Sequence, residues 1–178
     1  LRAIIKIKFH FWSVQPVFHI YDIHHWLRPN RVIESALPSI NKYVNILDIH
    51  TEAIDAMSEA DVSAFCQFIK DNFLRSKSVG AEYLPDEHHI TEYMKGSNHK
   101  SYVSIYRRPQ LLSNVSTSTS PSTSTDDIYS VISARILHIT FKNTKSFPIY
   151  YIDNLCVNPA MRKKGIAPKA IQTLHYHL

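Results

Sequence analysis

Apolar residues recur every three or four positions between residues 59 and 74, which predicts an amphipathic α-helix. The residues that set this spacing are Val62, Phe65, Ile69 and Phe73. Ser58, just before them, is a residue type that caps the exposed N–H groups of a helix start. A second, shorter helix is expected after Pro85, and Gly96 is expected to end it.

Three later segments have the composition of β-strands. Residues 101–106 alternate and are rich in Tyr, Val and Ile, and residues 128–141 form a longer apolar segment with room for a bulge. Residues 149–157 are a nearly continuous apolar run, which Asn158 and Pro159 close. We expect the first two segments to form an antiparallel hairpin and the third to continue the meander.

The remaining segments carry little regular pattern. Residues 1–50 are expected to be an extended arm and a surface excursion, with residues 44–47 as a candidate extended segment. Aromatic residues cluster at 9–17 without helical spacing, so we expect a non-helical arm that packs on the domain. Residues 113–127 are mostly Ser and Thr and predict a flexible loop. Helices, then three strands, then a helix predict an α+β fold in a single domain, residues 1–178.

Composition adds a preference for anionic ligands. The chain has 178 residues, 44% of them hydrophobic, so it can bury a sizeable core and is not of the disordered class. Its formal net charge is +5, from 20 basic and 15 acidic residues. This excess suits an anionic ligand but is too small to indicate nucleic acid, and no nucleic-acid partner is expected.

No segment is expected to enter or cross a membrane. The sequence has no run of 18 apolar residues, and its charged first nine residues do not resemble a signal peptide. Cys66 and Cys156 lie in apolar segments, which predicts buried free thiols in a reducing compartment, and we expect a cytoplasmic protein. The chain begins without Met and stops within its last predicted helix, so we expect part of a longer protein.

A basic turn follows the third predicted strand. Arg162, Lys163 and Lys164 precede Gly165, and apolar residues then recur at helical spacing. The N–H groups at a helix start lack partners inside the helix, and the helix dipole adds positive charge there. Because glycine allows a close approach of the backbone, the turn predicts a site for a phosphate. The alternative is a solvated basic loop before an ordinary helix.

Two widely separated stretches resemble the N-myristoyltransferases. Phe11–Val17, F-W-S-V-Q-P-V, resembles the F-W-x-T-Q-P-V arm of that family. Ile152–Val157, I-D-N-L-C-V, resembles its I-N-F-L-C-V segment, and residues 161–168 resemble its L-R-S-K-R-x-A-P loop. Shorter matches lie between them in the same order, at Asn72–Phe73, at Tyr83 and Pro85, and at Ile132–Ala134. The resemblance covers nearly the whole chain.

The resemblance implies a fold related to the GNAT acyltransferases, a mixed sheet flanked by helices and incomplete at its C-terminus. It implies transfer of a myristoyl group from myristoyl-CoA, a co-substrate, to the N-terminal glycine of a peptide or protein, with no prosthetic group. The chain is similar to the N-terminal half of the family, which binds the acyl-CoA. The backbone N–H groups of Asn154 and Leu155 would form the oxyanion hole at the thioester carbonyl. The residues that would contact the CoA are Phe9, His10, Phe11, Trp12, Arg162, Lys163, Lys164, Gly165, Ile166, Ala167 and Pro168.

Three departures of the sequence from the family bear on its function. Asn154 stands where the family has Phe, which leaves the backbone donor in place. Arg75–Ser78 is basic where the family has an acidic run that meets basic residues of the peptide, so the resemblance does not define the peptide preference. The C-terminal carboxylate that serves the family as a base has no counterpart before Leu178. On its own the chain is expected to bind acyl-CoA and to transfer the acyl group poorly.

Two other functions fit the same residues. One is a generic GNAT N-acetyltransferase that uses acetyl-CoA, and the other is a non-catalytic acyl-CoA-binding or interaction module. A metal site is not expected, because the eleven histidines have no zinc-module spacing. A nucleophilic role for Cys156 near His138 is conceivable, but its position in an apolar strand favours burial.

Overall fold

A computed structural model describes residues 10–17, 23–27, 34–73, 85–96, 98–108, 127–140 and 145–178. The chain divides into two compact units, Leu1–Ser39 and Ile40–Leu178. Four sequence predictions lie outside the described residues, at Phe9, at Arg75–Ser78, at Tyr83 and over nearly all of the 113–127 loop. The single domain predicted over residues 1–178 stays a prediction.

The first unit contains two short helices, α1 (His10–Ser13) and α2 (Ile23–Leu27). In α1, the rings of Phe11 and Trp12 meet edge to face with their centroids 5.0 Å apart. The hydroxyl of Ser13 donates to the carbonyl of His10 at 2.8 Å. The prediction of a non-helical arm is therefore wrong at these residues. A single helical turn is too short to contain a repeated apolar spacing, so the sequence pattern cannot indicate it.

The second unit contains a four-stranded sheet in the order β1-β2-β3-β4. The strands are β1 (Ile49–Ala53), β2 (Tyr102–Arg107), β3 (Ile128–Ile139) and β4 (Phe147–Val157). The helices are α3 (Glu59–Asn72), α4 (Glu87–Glu92) and α5 (Ile166–His177), with a 3₁₀ turn (Pro159–Met161) between β4 and α5. The predicted α+β class is confirmed.

Most of the predicted elements are confirmed. The helix predicted at 59–74 is α3. The side chain of Ser58 accepts a hydrogen bond from the backbone of Asp61 at 3.1 Å, as a helix cap does. The predicted hairpin is the antiparallel pair β2–β3. A bulge occurs in β3 as well, because Tyr106 faces Ser130 while Arg107 faces Ile128. Tyr129 is therefore the extra residue.

The sequence prediction differs from the structure at the first edge of the sheet. The prediction has no strand at β1, and it places an extended segment at 44–47. In the structure, residues 46–48 form a turn instead. The side chain of Asn45 closes this turn by accepting from the backbone of Asp48 at 3.2 Å. The sequence I-H-T-E-A of β1 has no apolar alternation to reveal it, since its conformation depends on pairing with β2.

The sheet is antiparallel in all three of its described pairings, although a mixed sheet was expected. β2, β3 and β4 are consecutive, and each strand reverses the direction of the one before it. β1 precedes α3 and α4 and also pairs antiparallel to β2, so helices and strands are less segregated along the chain than predicted. A parallel pair would need a crossover connection between two neighbouring strands.

Helices cover both faces of the sheet. α3 and α4 pack on one face, whose buried residues include Phe65, Phe68, Ile69, Val103, Val131 and Cys156. α5 packs on the other face, where Ala170 and Leu174 contact Ile132 and Ala134. None of the helices within the described residues is long and apolar enough to cross a membrane.

Candidate functional site

β4 contains a bulge at Asn154 and Leu155. The flanking pairs are Val131 with Cys156 and Ser133 with Asp153. One residue of β3, Ile132, therefore lies opposite two residues of β4. A two-against-one arrangement bends the strand and interrupts the hydrogen-bond ladder. The bulge occurs at the two residues that the sequence predicts as the oxyanion hole.

The backbone of Asn154 is left-handed, with φ at 50°. Asparagine adopts this region far more readily than most residues that carry a side chain, which gives a physical reason for an asparagine here. Its side-chain amide donates to the hydroxyl of Ser133 at 3.1 Å, and that hydroxyl donates to the carbonyl of Asp153 at 3.2 Å. These two hydrogen bonds hold the bulge against β3.

The backbone N–H of Asn154 is directed at a carboxylate. It donates to Oδ1 of Asp153 at 2.8 Å, and Oδ2 of Asp153 lies 3.7 Å from Nε of Arg135. The guanidinium of Arg135 lies over the rings of Tyr93 and Tyr151, at 5.6 and 5.0 Å from their centroids. The N–H of Asn154 is therefore already engaged by a side chain of its own strand.

The loop after β4 turns the chain into α5. Asn158 caps the 3₁₀ turn by accepting from the backbone of Ala160 at 3.0 Å. Lys163 and Gly165 are both left-handed, with φ at 64° and 75°. Gly165 is the N-cap of α5 and contributes no side-chain acceptor to the first turn. The helix start is therefore suited to an external anion.

The three cations of the loop are exposed but have different surroundings. Arg162 donates through Nη2 to the carbonyl of Asn72 at 3.1 Å and through Nε to the carbonyl of Val157 at 3.3 Å. It therefore joins the end of α3 to the end of β4. Lys164 places its Nζ 3.7 Å from the sulfur of Met161. Lys163 and Lys164 are the charges best placed to meet a bound phosphate.

A cavity of about 200 Å³ lies between the ends of α3 and β4. It is lined by Asn72, Phe73, Leu155, Cys156, Val157 and Arg162. The cavity therefore connects the bulge at Leu155 with the loop at Arg162. Pockets for drug-sized ligands have about 300–1,000 Å³, so this cavity holds only part of a ligand as long as an acyl-CoA.

Cys156 is a buried residue of the core. Burial raises the pKa of its thiol to about 11, although the charge of Arg162 and a backbone hydrogen bond at Val157 act in the opposite direction. Cys156 pairs with Val131, whereas His138 pairs with Pro148, seven residues further along β3 and thus about 23 Å away. The predicted burial of Cys156 is confirmed. Among the described residues, no group of three or more His, Cys, Asp or Glu is placed to hold a metal ion.

The residues predicted to contact CoA fall into two groups. Arg162, Lys163, Lys164, Gly165, Ile166, Ala167 and Pro168 lie together between β4 and the first turn of α5. His10, Phe11 and Trp12 lie in the first unit, where Phe11 is buried and the other two are exposed. Their position along a CoA stays a prediction, and Phe9 lies outside the described residues.

Sequence reasoning missed the polar groups around the bulge. Asp153 is adjacent to the predicted donors, and a carboxylate in place of the family's Asn was a signal that could have identified it. Ser133 and Arg135 had no such signal, because the register of β3 against β4 brings them to the bulge. Tyr93 comes from the end of α4, still further away in sequence.

The fold is similar to that of two solved structures of the N-myristoyltransferase of Saccharomyces cerevisiae with bound myristoyl-CoA. The TM-score is 0.61 for both, and the sequence identities are 16% and 15%. The similarity covers 94% and 99% of this chain, which spans 37% and 40% of the length of the yeast chains. No protein-family model and no curated protein matches the sequence. At this identity the likeness establishes the fold.

The titration of Cys156 predicts a loss of stability in alkali. An unfolded chain ionises its thiols near the ordinary pKa of 9.0, whereas Cys156 and Cys66 in the folded chain ionise near 11. The stability present below pH 9 is therefore lost as the pH rises through 11, by up to about 2–3 kcal/mol for each thiol. Urea unfolding at a series of pH values measures this slope.

The control is Cys156→Ala, which removes one titrating group. We expect its free energy of unfolding to fall less steeply with pH than that of the native chain. Tyr106 and Tyr150, whose pKa values burial also raises, are present in both proteins and cancel in the comparison. Equal slopes would contradict the prediction.

Proposed function

We propose that this chain is the acyl-CoA-binding half of an N-myristoyltransferase-like enzyme. The enzyme would transfer a myristoyl group from myristoyl-CoA to the N-terminal glycine of a peptide or protein. The observation that carries the proposal is the bulge of β4, because it lies within the family-like motif and lines a cavity that reaches the basic loop. The similarity of fold to yeast N-myristoyltransferase supports it.

The bulge would act on the thioester carbonyl. In the reaction the glycine amine attacks the carbonyl carbon, a C–N bond forms and the C–S bond breaks. The amine gives up a proton, and CoA leaves as the thiol. Negative charge builds on the carbonyl oxygen, and a donor placed beforehand stabilises such a charge by about 3 kcal/mol. We assign this role to the backbone N–H groups of Asn154 and Leu155.

The loop would hold the phosphates of the CoA. Lys163 and Lys164 supply exposed positive charge, and the start of α5 supplies backbone N–H groups that Gly165 does not cap. Arg162 would act mainly by fixing the loop, since its guanidinium is bonded to the carbonyls of Asn72 and Val157. The thioester would then lie beside Leu155, and the phosphates would lie outside the cavity, at the loop.

A second candidate, a non-catalytic acyl-CoA-binding module, is favoured by one observation. The carboxylate of Asp153 accepts the N–H that the reaction needs and would place negative charge beside the carbonyl oxygen. A chain that binds acyl-CoA without transferring the acyl group fits this arrangement.

Cytoplasmic location also belongs to the proposal, and the two free, buried thiols are compatible with it.

Ligand titration tests the proposed function. We expect myristoyl-CoA, kept below its micelle concentration, to bind more tightly than acetyl-CoA, because the longer chain buries more apolar surface. Isothermal titration with both ligands and with CoA alone measures the difference. Equal affinities would point to the acetyl-CoA alternative, and no binding of any of the three would refute the proposal.

Removal of two loop charges should weaken CoA binding. The variant Lys163→Ala with Lys164→Ala is expected to lose affinity about tenfold, at about 0.7 kcal/mol for each lysine, and the loss should shrink in high salt. The matched control is Lys100→Ala with Lys145→Ala, which changes the net charge equally at the other end of the sheet. If both double variants bind alike, the phosphate assignment is wrong.

The position of Asp153 predicts a gain in activity upon its removal. Asp153→Ala frees the N–H of Asn154 and removes the adjacent charge. We therefore expect CoA to be released about ten times faster in the presence of a glycine-initiated peptide, which corresponds to a fall of about 1.4 kcal/mol in the activation free energy. Asp153→Asn is the control that keeps an acceptor oxygen without the charge. Slower release by the alanine variant would contradict the oxyanion assignment. No release by any of the three proteins, with tight binding retained, would favour the non-catalytic module.

A further inference from the structure

The backbone hydrogen-bonding groups on the open edge of β1 are complementary to those of a second copy of β1. We propose that two copies of this chain pair antiparallel along β1. In the part of the chain that the structure describes, β1 pairs on one side only, with β2. It lies at the opposite edge of the sheet from β4. The proposal is therefore independent of the acyl-CoA site.

The alternation of backbone groups shows which residues of β1 face the open edge. The N–H of Arg107 donates to the carbonyl of Asp48 at 3.3 Å, and the N–H of Ile54 donates to the carbonyl of Ser101 at 3.0 Å. Even-numbered residues of this segment therefore direct their backbone groups at β2. In an antiparallel ladder the intervening residues direct theirs away. These outward residues are Ile49, Thr51 and Ala53.

Local turns already use two of the six outward groups. The N–H of Ile49 donates to the carbonyl of Asn45 at 3.3 Å, and the carbonyl of Ala53 accepts from Ala56 at 2.9 Å and from Met57 at 3.2 Å. The outward groups that these turns do not use are the carbonyl of Ile49, both groups of Thr51 and the N–H of Ala53.

These four groups complement their own copies about a two-fold axis at Thr51. Each Thr51 would donate to and accept from Thr51 of the other copy. Each Ala53 N–H would donate to the Ile49 carbonyl of the other copy. The result is four hydrogen bonds between the strands. The two groups that the turns already satisfy, the Ile49 N–H and the Ala53 carbonyl, fall opposite each other, so neither is left without a partner.

The same register places side chains opposite each other that can form a hydrogen bond, and that carry opposite charges when His50 is protonated. His50 of one copy faces Glu52 of the other, at a non-hydrogen-bonded position where the Cα atoms are about 4.5 Å apart. Both side chains reach solvent, with 78% of His50 and 37% of Glu52 exposed, and within one chain their Nε2 and Oε2 atoms lie 3.4 Å apart. Two histidines and two carboxylates would then alternate around the axis.

The edge lacks two of the devices that prevent such pairing, lysine and proline, although β1 is short and carries Glu52. Between Asn45 and Met57 there is neither lysine nor proline. Directly before β1, the side chains of Ile46 and Leu47 are 62% and 92% exposed. A strand of five residues buries little area, so we expect a weak dimer with a dissociation constant on the order of 0.1 mM.

Thr51→Pro is the first test. The substitution removes an outward N–H and spares the backbone ladder with β2, because the backbone groups of Thr51 are directed away from that strand. Sedimentation velocity from about 10 μM to about 500 μM should show a monomer–dimer equilibrium for the native chain and only monomer for the variant. Thr51→Ala is the control, since it loses the same hydroxyl contact with Ser104 and keeps the N–H. It should dimerise like the native chain.

Charge exchange tests the register itself. His50→Glu sets two carboxylates opposite each other and should abolish the dimer, whereas His50→Glu combined with Glu52→His restores the complementary pairs and should restore it. A native chain that stays monomeric throughout the concentration range would overturn the proposal. So would a dimer that Thr51→Pro leaves intact, or one that the exchanged pair fails to restore, because either result places the contact elsewhere.

Discussion

The extra residue in β4 is the constraint on which the candidate site depends. Side chains alternate between the two faces of a strand, so one inserted residue changes the face of everything on one side of it. Cys156 lies in the core under α3, and without the bulge Asp153 would face α5. With the bulge, Asp153 shares the face of Ser133 and Arg135, and its carboxylate reaches the N–H of Asn154.

The bulge has consequences in both directions along β4. Toward Tyr151, it sets the ion pair of Asp153 beside the Arg135 guanidinium and its aromatic neighbours. Toward Val157, it leads to the loop that Arg162 ties to the last carbonyl of α3, where the helix dipole favours positive charge. One arginine therefore bonds a helix end and lines a cavity at once.

Local patterns predicted the elements whose stability is local. α3 followed from apolar spacing and a serine cap, and the β2–β3 hairpin followed from two strand-like segments on either side of a Ser/Thr tract. β1 could not be predicted in this way. Only Ile49 and Ala53 of its five residues are apolar, which is too few to predict a strand, and its pairing partner β2 lies about fifty residues further along the chain. The short helix α1 was missed for the related reason that one turn leaves no periodicity to detect.

The sequence by itself determined the class of the fold, the helix α3, the β2–β3 hairpin and the basic turn before α5. These features depend on residue type, on spacing and on a motif that is contiguous in the chain. Only the tertiary structure decided which groups meet there. Arg162 bonds a helix end, Asp153 occupies the N–H of Asn154, and Tyr93 reaches Arg135, because strand register and helix packing join residues that no sequence spacing relates.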